Sequence, residues 1–140
     1  MNTLIKKCSH VTKGGLTLVN TVPHDLNFRD VDGTEIVIPT SVPKGEKTGK
    51  LVVNAKLVET PVAGSDIFVT MKPTPDPAGL AVIAAIDDYA AKTGERVVII
   101  GSQLAVSAYP GKMAGMVPVP GLERVPPAEK RMRCDKFTIA

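Results

Sequence analysis

Tryptophan is absent from this 140-residue chain, and the only aromatic residues are Phe28, Phe68, Tyr89, Tyr109 and Phe137. A core must therefore be assembled from Val, Ile, Leu and Ala. Single-strand nucleic-acid binders interleave aromatic and basic residues, and so thin an aromatic supply argues against that class. The formal net charge of +3 is also far below the basicity of a dedicated DNA-binding domain. Histidine and cysteine are equally scarce, at two each. No HxxxH or HExxH spacing and no close cysteine pair occurs, so a zinc site drawn from Cys8, His10, His24 and Cys134 has no spacing to support it. We expect no metal and no cofactor. No apolar run approaches the eighteen residues of a membrane span. No apolar stretch of signal-peptide length follows the basic residues ahead of Cys8. The expectation is a cytoplasmic protein with reduced thiols. P-loop, GxGxxG and GxSxG patterns are missing. Gly101-Ser102 follows an apolar strand but lacks the elbow glycines and a nearby histidine, so it reads as a strand-ending turn or backbone site rather than a nucleophile.

What is present suits one folded domain over residues 1–140, with 44% hydrophobic residues. Residues 1–15 are polar and basic (Lys6, Lys7, Lys13) and end in Gly14-Gly15, giving either a flexible arm or a short first strand. Leu16–Asn20 and Leu26–Arg29 alternate apolar with polar residues, Gly33 closes a turn, and 34–38 follows; the pattern predicts a β-meander. Segments 51–60 and 66–71 read as further strands. One helix is strongly signalled over Pro77–Thr93: Asp76 caps it, Pro77 occupies its first position and Gly94 ends it. Leu80, Val82, Ile83, Ile86, Tyr89 and Ala90 form its apolar stripe. Arg96–Ile100 is apolar enough for a strand buried on both faces. Gln103–Ala108 is either a helical turn or that strand's continuation, and 113–119, interrupted by Pro118, is an edge strand. Residues 128–133 suit one helical turn and 136–139 a last strand. The expected fold class is α+β, a mostly antiparallel sheet with one main helix and a Pro-rich C-terminal arm.

The best chemical signal is the cationic end. Arg124, Lys130, Arg131 and Arg133 flank Pro126-Pro127. Guanidinium groups bind phosphate bidentately, and prolines lower the cost of ordering such a site. Tyr109 is placed to stack on a base or close the pocket. Ser102 and His24 would line it through hydrogen bonds, with Asp25 as a partner that could orient His24 for acid–base work. The competing reading pairs the cations with Glu123, Glu129 and Asp135 in the same segment.

The stretch Asn20-Thr21-Val22-Pro23-His24-Asp25-Leu26-Asn27 resembles the N-x-x-P-H-x-L-N opening of a family of small phage and prophage proteins. In that family a hairpin and an IPxSG-like loop follow; here the loop is Ile38-Pro39-Thr40-Ser41-Val42, without the glycine. Pro120-Gly121-Leu122-Glu123-Arg124 is similar to its later Pro-Gly segment with an arginine. The resemblance implies a phage setting. Small phage proteins without catalytic apparatus include sponges that sequester nucleotide immune signals, an analogy and not a derivation. The leading expectation is a non-enzymatic homo-oligomer that binds a phosphate-containing small molecule, cyclic-nucleotide- or ADP-ribose-like, in the host cytoplasm. A structural or partner-binding phage protein and a small phosphodiesterase-like enzyme using His24 stand as alternatives.

Overall fold

In the computed structural model, which describes residues 1–57, 59–70 and 73–139, the chain runs α1 (Asn2–Lys7), β1 (Ser9–Val11), β2 (Leu16–Asn20), β3 (Leu26–Arg29), β4 (Glu35–Ile38), β5 (Glu59–Pro61), β6 (Phe68–Thr70), α2 (Pro77–Thr93), β7 (Arg96–Ile100), α3 (Gln103–Ala108), β8 (Gly115–Pro118) and β9 (Met132–Thr138). The fold is α+β, with one long helix and two mixed, mostly antiparallel sheets. One sheet has the order β1-β2-β7, the other β4-β3-β9-β8, and β5-β6 forms a separate hairpin.

The helix forms where its signals lie. Asp76 accepts a bond from the Ala78 amide at 3.0 Å, and Gly94, at φ 74°, returns its amide to Ala90. Its buried face is Gly79, Ile83, Ile86 and Tyr89, whereas Leu80 is half exposed. The expected stripe is thus rotated toward Gly79. That glycine is required by packing: a Cβ there would stand 2.1 Å from the Tyr109 hydroxyl.

Alternation along β2 and β7 explains the layering. Val19 and Ile99 point into a core shared with Ile5, Cys8 and the buried faces of α2 and α3. Leu18 and Ile100 point the other way, into a core with Leu26, Phe28 and Ile38 of the second sheet. The first sheet is therefore the middle of three layers, with helices on one face and the second sheet on the other. β2 is buried throughout except at Leu16. β7 meets both cores as expected, fully buried at Ile99 and Ile100 and half-buried at Val97 and Val98, with Arg96 exposed.

Several expectations are corrected. The meander does not form across β2: it pairs antiparallel with β1 and parallel with β7, while β3 pairs with β4 and β9. Of the two readings of residues 1–15, the short first strand forms, as β1, preceded by α1, and the fully buried Ile5 and Cys8 anchor both. Segment 51–60 does not run as one strand: Leu51 and Val53 plug the helix-side core, Lys56 bridges Thr74, and pairing begins only at Glu59. Val58, Met71 and Lys72 of these expected strands, and Ala140, lie outside the described residues. The turn expected over 128–133 ends by Lys130, and β9 starts at Met132 rather than at Lys136. β8 does lie at a sheet edge.

The two sheets meet where β2 and β7 end. Asn20, fully buried, donates from Nδ2 to the carbonyls of His24 (3.0 Å), Ile38 (3.1 Å) and Pro39 (3.2 Å), and its Oδ1 accepts from the Val22 amide at 2.7 Å. Thr21 donates its hydroxyl to the Ile100 carbonyl at 2.6 Å. Among the described residues, no buried side-chain polar atom lacks a partner. The residues that carry the phage-family resemblance thus do structural work: Asn20 fixes the carbonyl of His24 and ties it to the end of β4.

Candidate functional site

Three of the seven expected site residues come together. His24 borders a cavity of about 280 Å³ with Asn27, Pro127, Lys130, Met116 and Met132. Ser102 borders an adjacent cavity of about 250 Å³ with Gln103, Pro118 and the same Met116, Lys130 and Met132. The two cavities meet at Met116, Lys130 and Met132, and together they are taken as the candidate cleft. Each wall comes from a different element: the β2–β3 connection supplies His24, the β7–α3 turn supplies Ser102, and the β8–β9 connection supplies Lys130.

Lys130 is presented by a fixed turn. The Glu129 and Lys130 amides both bond the Pro126 carbonyl. Arg131 then clamps the turn from outside. Its Nη1 donates to the carbonyls of Ala128 and Lys130, both at 3.0 Å, and its Nε reaches Glu35 at 2.7 Å. Arg131 is thus a strut beneath Lys130, not a free cation. Its bond, with a second from Arg29, holds the Glu35 carboxyl below its ordinary pKa. Lys130 itself is half-buried and carries no ion pair among the described residues.

The other expected residues lie elsewhere. Arg133 closes a bidentate pair with Asp135 at 2.9 Å on both arms, which lowers the Asp135 pKa. It borders a different cavity, of about 370 Å³, which Arg29, Asp30 and Asp135 also line. Arg124 is exposed in the loop between β8 and β9, without a hydrogen bond to its side chain among the described residues. Tyr109 cannot stack on a ligand, being 2% exposed. Its hydroxyl accepts from the Asp76 amide at 2.8 Å and donates to the Asn54 carbonyl at 2.9 Å, pinning the start of α2 to the 51–57 segment. Tyr109 therefore fills the core with its ring and satisfies two backbone groups with its polar end.

The proposed His24–Asp25 dyad does not form either. His24 Nδ1 meets the main-chain oxygen of Asp25 at 3.0 Å, while the Asp25 carboxylate accepts from the Thr40 amide at 2.9 Å. Ser102 Oγ accepts from the Ala105 amide at 3.2 Å, capping α3 and leaving the hydroxyl proton free to donate into the cleft.

Sequence reading missed the cleft's apolar walls, Met116 and Met132. Both are half-buried, on β8 and β9, where Pro118 pairs with Met132. Unbranched thioethers adapt to flat rings and favour their edges. Met132, between Arg131 and Arg133, and Met116, two residues before Pro118, are the available signal. Gly115 shapes the same wall, since a Cβ there would stand 2.9 Å from the Gln103 side chain and 2.5 Å from that of Thr138.

The cysteines lie in separate cores, Cys8 on the helix side and Cys134 beside the second. Burial, with Asp30, Asp135 and Asp32 nearby, pushes the Cys134 thiol up to about 11. His10, Asp30 and Cys134 border one cavity of about 220 Å³, yet among the described residues no three such side chains are placed to hold a metal. No helix of the described residues is long and apolar enough to cross a membrane. Compared with known proteins, the chain matches no family model, no curated protein and no solved structure.

Proposed function

We propose that this chain is a non-enzymatic receptor for a small phosphate-bearing molecule, cyclic-nucleotide- or ADP-ribose-like, held in the cleft between His24, Ser102 and Lys130. The observation that carries this reading is Lys130: a half-buried lysine without a carboxylate partner among the described residues, held on a clamped turn beside two methionine side chains. An ammonium is a point-charge phosphate ligand. His24 and Ser102 offer further hydrogen-bond donors from the opposite walls, and Met116 and Met132 offer apolar surface to a base.

Binding without turnover is favoured because the polar groups that catalysis would need are otherwise employed. The Asp25 carboxylate holds Thr40, and His24 faces a carbonyl rather than a carboxylate. The biological form of the proposal rests on the resemblance of Asn20–Asn27 to phage proteins. In that setting the receptor would sequester a host nucleotide signal in the infected cell's cytoplasm.

Titration calorimetry against cyclic di- and trinucleotides and ADP-ribose tests it. The expected result is a ligand bound and recovered intact after denaturation. Lys130→Ala should weaken it about tenfold to a hundredfold, the equivalent of the ~1.5–3 kcal/mol of a hydrogen bond to a charged group. A ligand recovered cleaved moves the protein to the enzyme class, and silence across the panel removes the proposal.

A further inference from the structure

The hairpin β5–β6 is built unlike the rest of the chain. Its strands pair only with each other among the described residues. A closed base and a closed tip hold it in shape. At the base, Lys56 and Thr74 exchange amide–carbonyl bonds of 2.8 and 2.7 Å. At the tip, the Val62 amide bonds the Ile67 carbonyl at 2.8 Å and Ser65 Oγ bonds both the Val62 carbonyl and the Ile67 amide. Yet Ile67 and Phe68 are each 62% exposed, with Val62 exposed beside them. A lone two-stranded hairpin is marginal in water, and three large apolar side chains on it need a cover. Between 59 and 70 the arm carries Glu59 and Asp66 and no cation.

The same molecule has a socket of the opposite character. Between α1 and the 41–50 loop lies a cavity of about 650 Å³. Leu4 and Pro43 contribute apolar wall, and Lys7 and Lys50 outnumber the single acid, Glu46. The walls are fixed in advance. Ile5 and Cys8 anchor α1 in the core, and Ser41 Oγ accepts from the Leu51 amide at 3.0 Å to close the loop. Gly49 packs so tightly on Ser41 that a Cβ would stand 2.5 Å from it. Pockets of roughly 300–1,000 Å³ take drug-sized ligands, so two apolar side chains fit.

We infer that the β5–β6 arm of one copy docks in the α1/41–50 socket of a second copy, Ile67 and Phe68 filling the cavity and Asp66 facing Lys7 and Lys50. The charge complementarity of arm and socket, both carried by one chain, selects a second copy as the occupant over an unrelated partner. Reciprocal exchange about a two-fold axis fills both sockets and covers both arms.

Sedimentation velocity of the full chain at micromolar concentration tests this. The wild type should run as a dimer. Ile67→Ser with Phe68→Ser should weaken it about thirtyfold or more, the effect of losing an interface anchor. Lys7→Glu with Lys50→Glu should do the same, and both variants should keep the wild-type circular-dichroism spectrum. Mixing the two variants should restore a heterodimer, because one intact arm then meets one intact socket. A monomeric wild type, a dimer that only one of the two variants dissociates, or a mixture that stays monomeric overturns the assignment.

Discussion

The junction at Asn20 and the β5–β6 arm invert the usual rule in opposite directions. At the junction, polar side chains are buried: Asn20 and Thr21 are at most 1% exposed, and both are satisfied by backbone carbonyls of neighbouring strands. On the arm, apolar side chains are exposed, Ile67 and Phe68 each to 62%. The first inversion holds two sheets in register at a point where neither can supply the missing hydrogen bonds itself. The second contributes little to the folded monomer and is free to serve an interface. A buried polar residue with every partner supplied is evidence of architecture; an exposed apolar cluster on a self-contained hairpin is evidence of association.

The sharpest way to break that contrast is to remove one member of each kind. Asn20→Ala should cost about 3 kcal/mol or more, because two buried groups, the Ile38 carbonyl and the Val22 amide, lose partners at ~1–3 kcal/mol each and two part-buried carbonyls lose theirs besides; urea denaturation measures it. Phe68→Ser, by contrast, should leave the monomer's stability within about 0.5 kcal/mol, as for other surface changes. Tyr109→Phe probes a buried polar group of intermediate weight. It keeps the ring and strands the Asp76 amide, for an expected loss of about 1–3 kcal/mol. The smallest effect is electrostatic. The folded pKa values of Glu35 and Asp135 lie below their ordinary range because arginines bond them. Their contribution is therefore complete above the unfolded carboxylate value of about 4 and is lost as pH falls through the lower folded values. Both pairs are exposed, so thermal melts should shift only modestly on acidification, and less in high salt. At alkaline pH the sign reverses for Cys134. Its thiol stays protonated in the folded state up to about 11, so stability should fall as pH rises above the unfolded thiol's value.

Much of the architecture was legible in local chemistry. Asp76, Pro77 and Gly94 mark α2 because capping and prolyl geometry act within a few residues. Strand pairing was not legible, since β2 meets β7 across more than seventy residues and a period-2 pattern says nothing about the partner. Thr17 and Asn20 also disguised β2 as half-exposed, because a polar residue satisfied internally looks the same in sequence as one facing water. The site was read in part for the same reason. The cationic run was visible, but the acid that engages Arg131 is Glu35, which no reading of the local segment would select. Asp135, two residues from Arg133, was within local reach. Tyr109 looked like a ligand platform because its hydroxyl's partners, Asp76 and Asn54, are distant in the chain. Lys130 stood out only as charge; the cleft beside it depends on His24, Ser102 and two methionines that four separate segments bring together.

This cleft, and not the paired arginines, is the proposed anion site. Amide chemical-shift mapping with ADP-ribose or a bound cyclic dinucleotide decides it. The largest shifts should fall on His24, Asn27, Ser102, Gln103, Lys130 and Met132 and vanish in Lys130→Ala. Shifts centred on Arg133 and Arg29, or unchanged by Lys130→Ala, would contradict it.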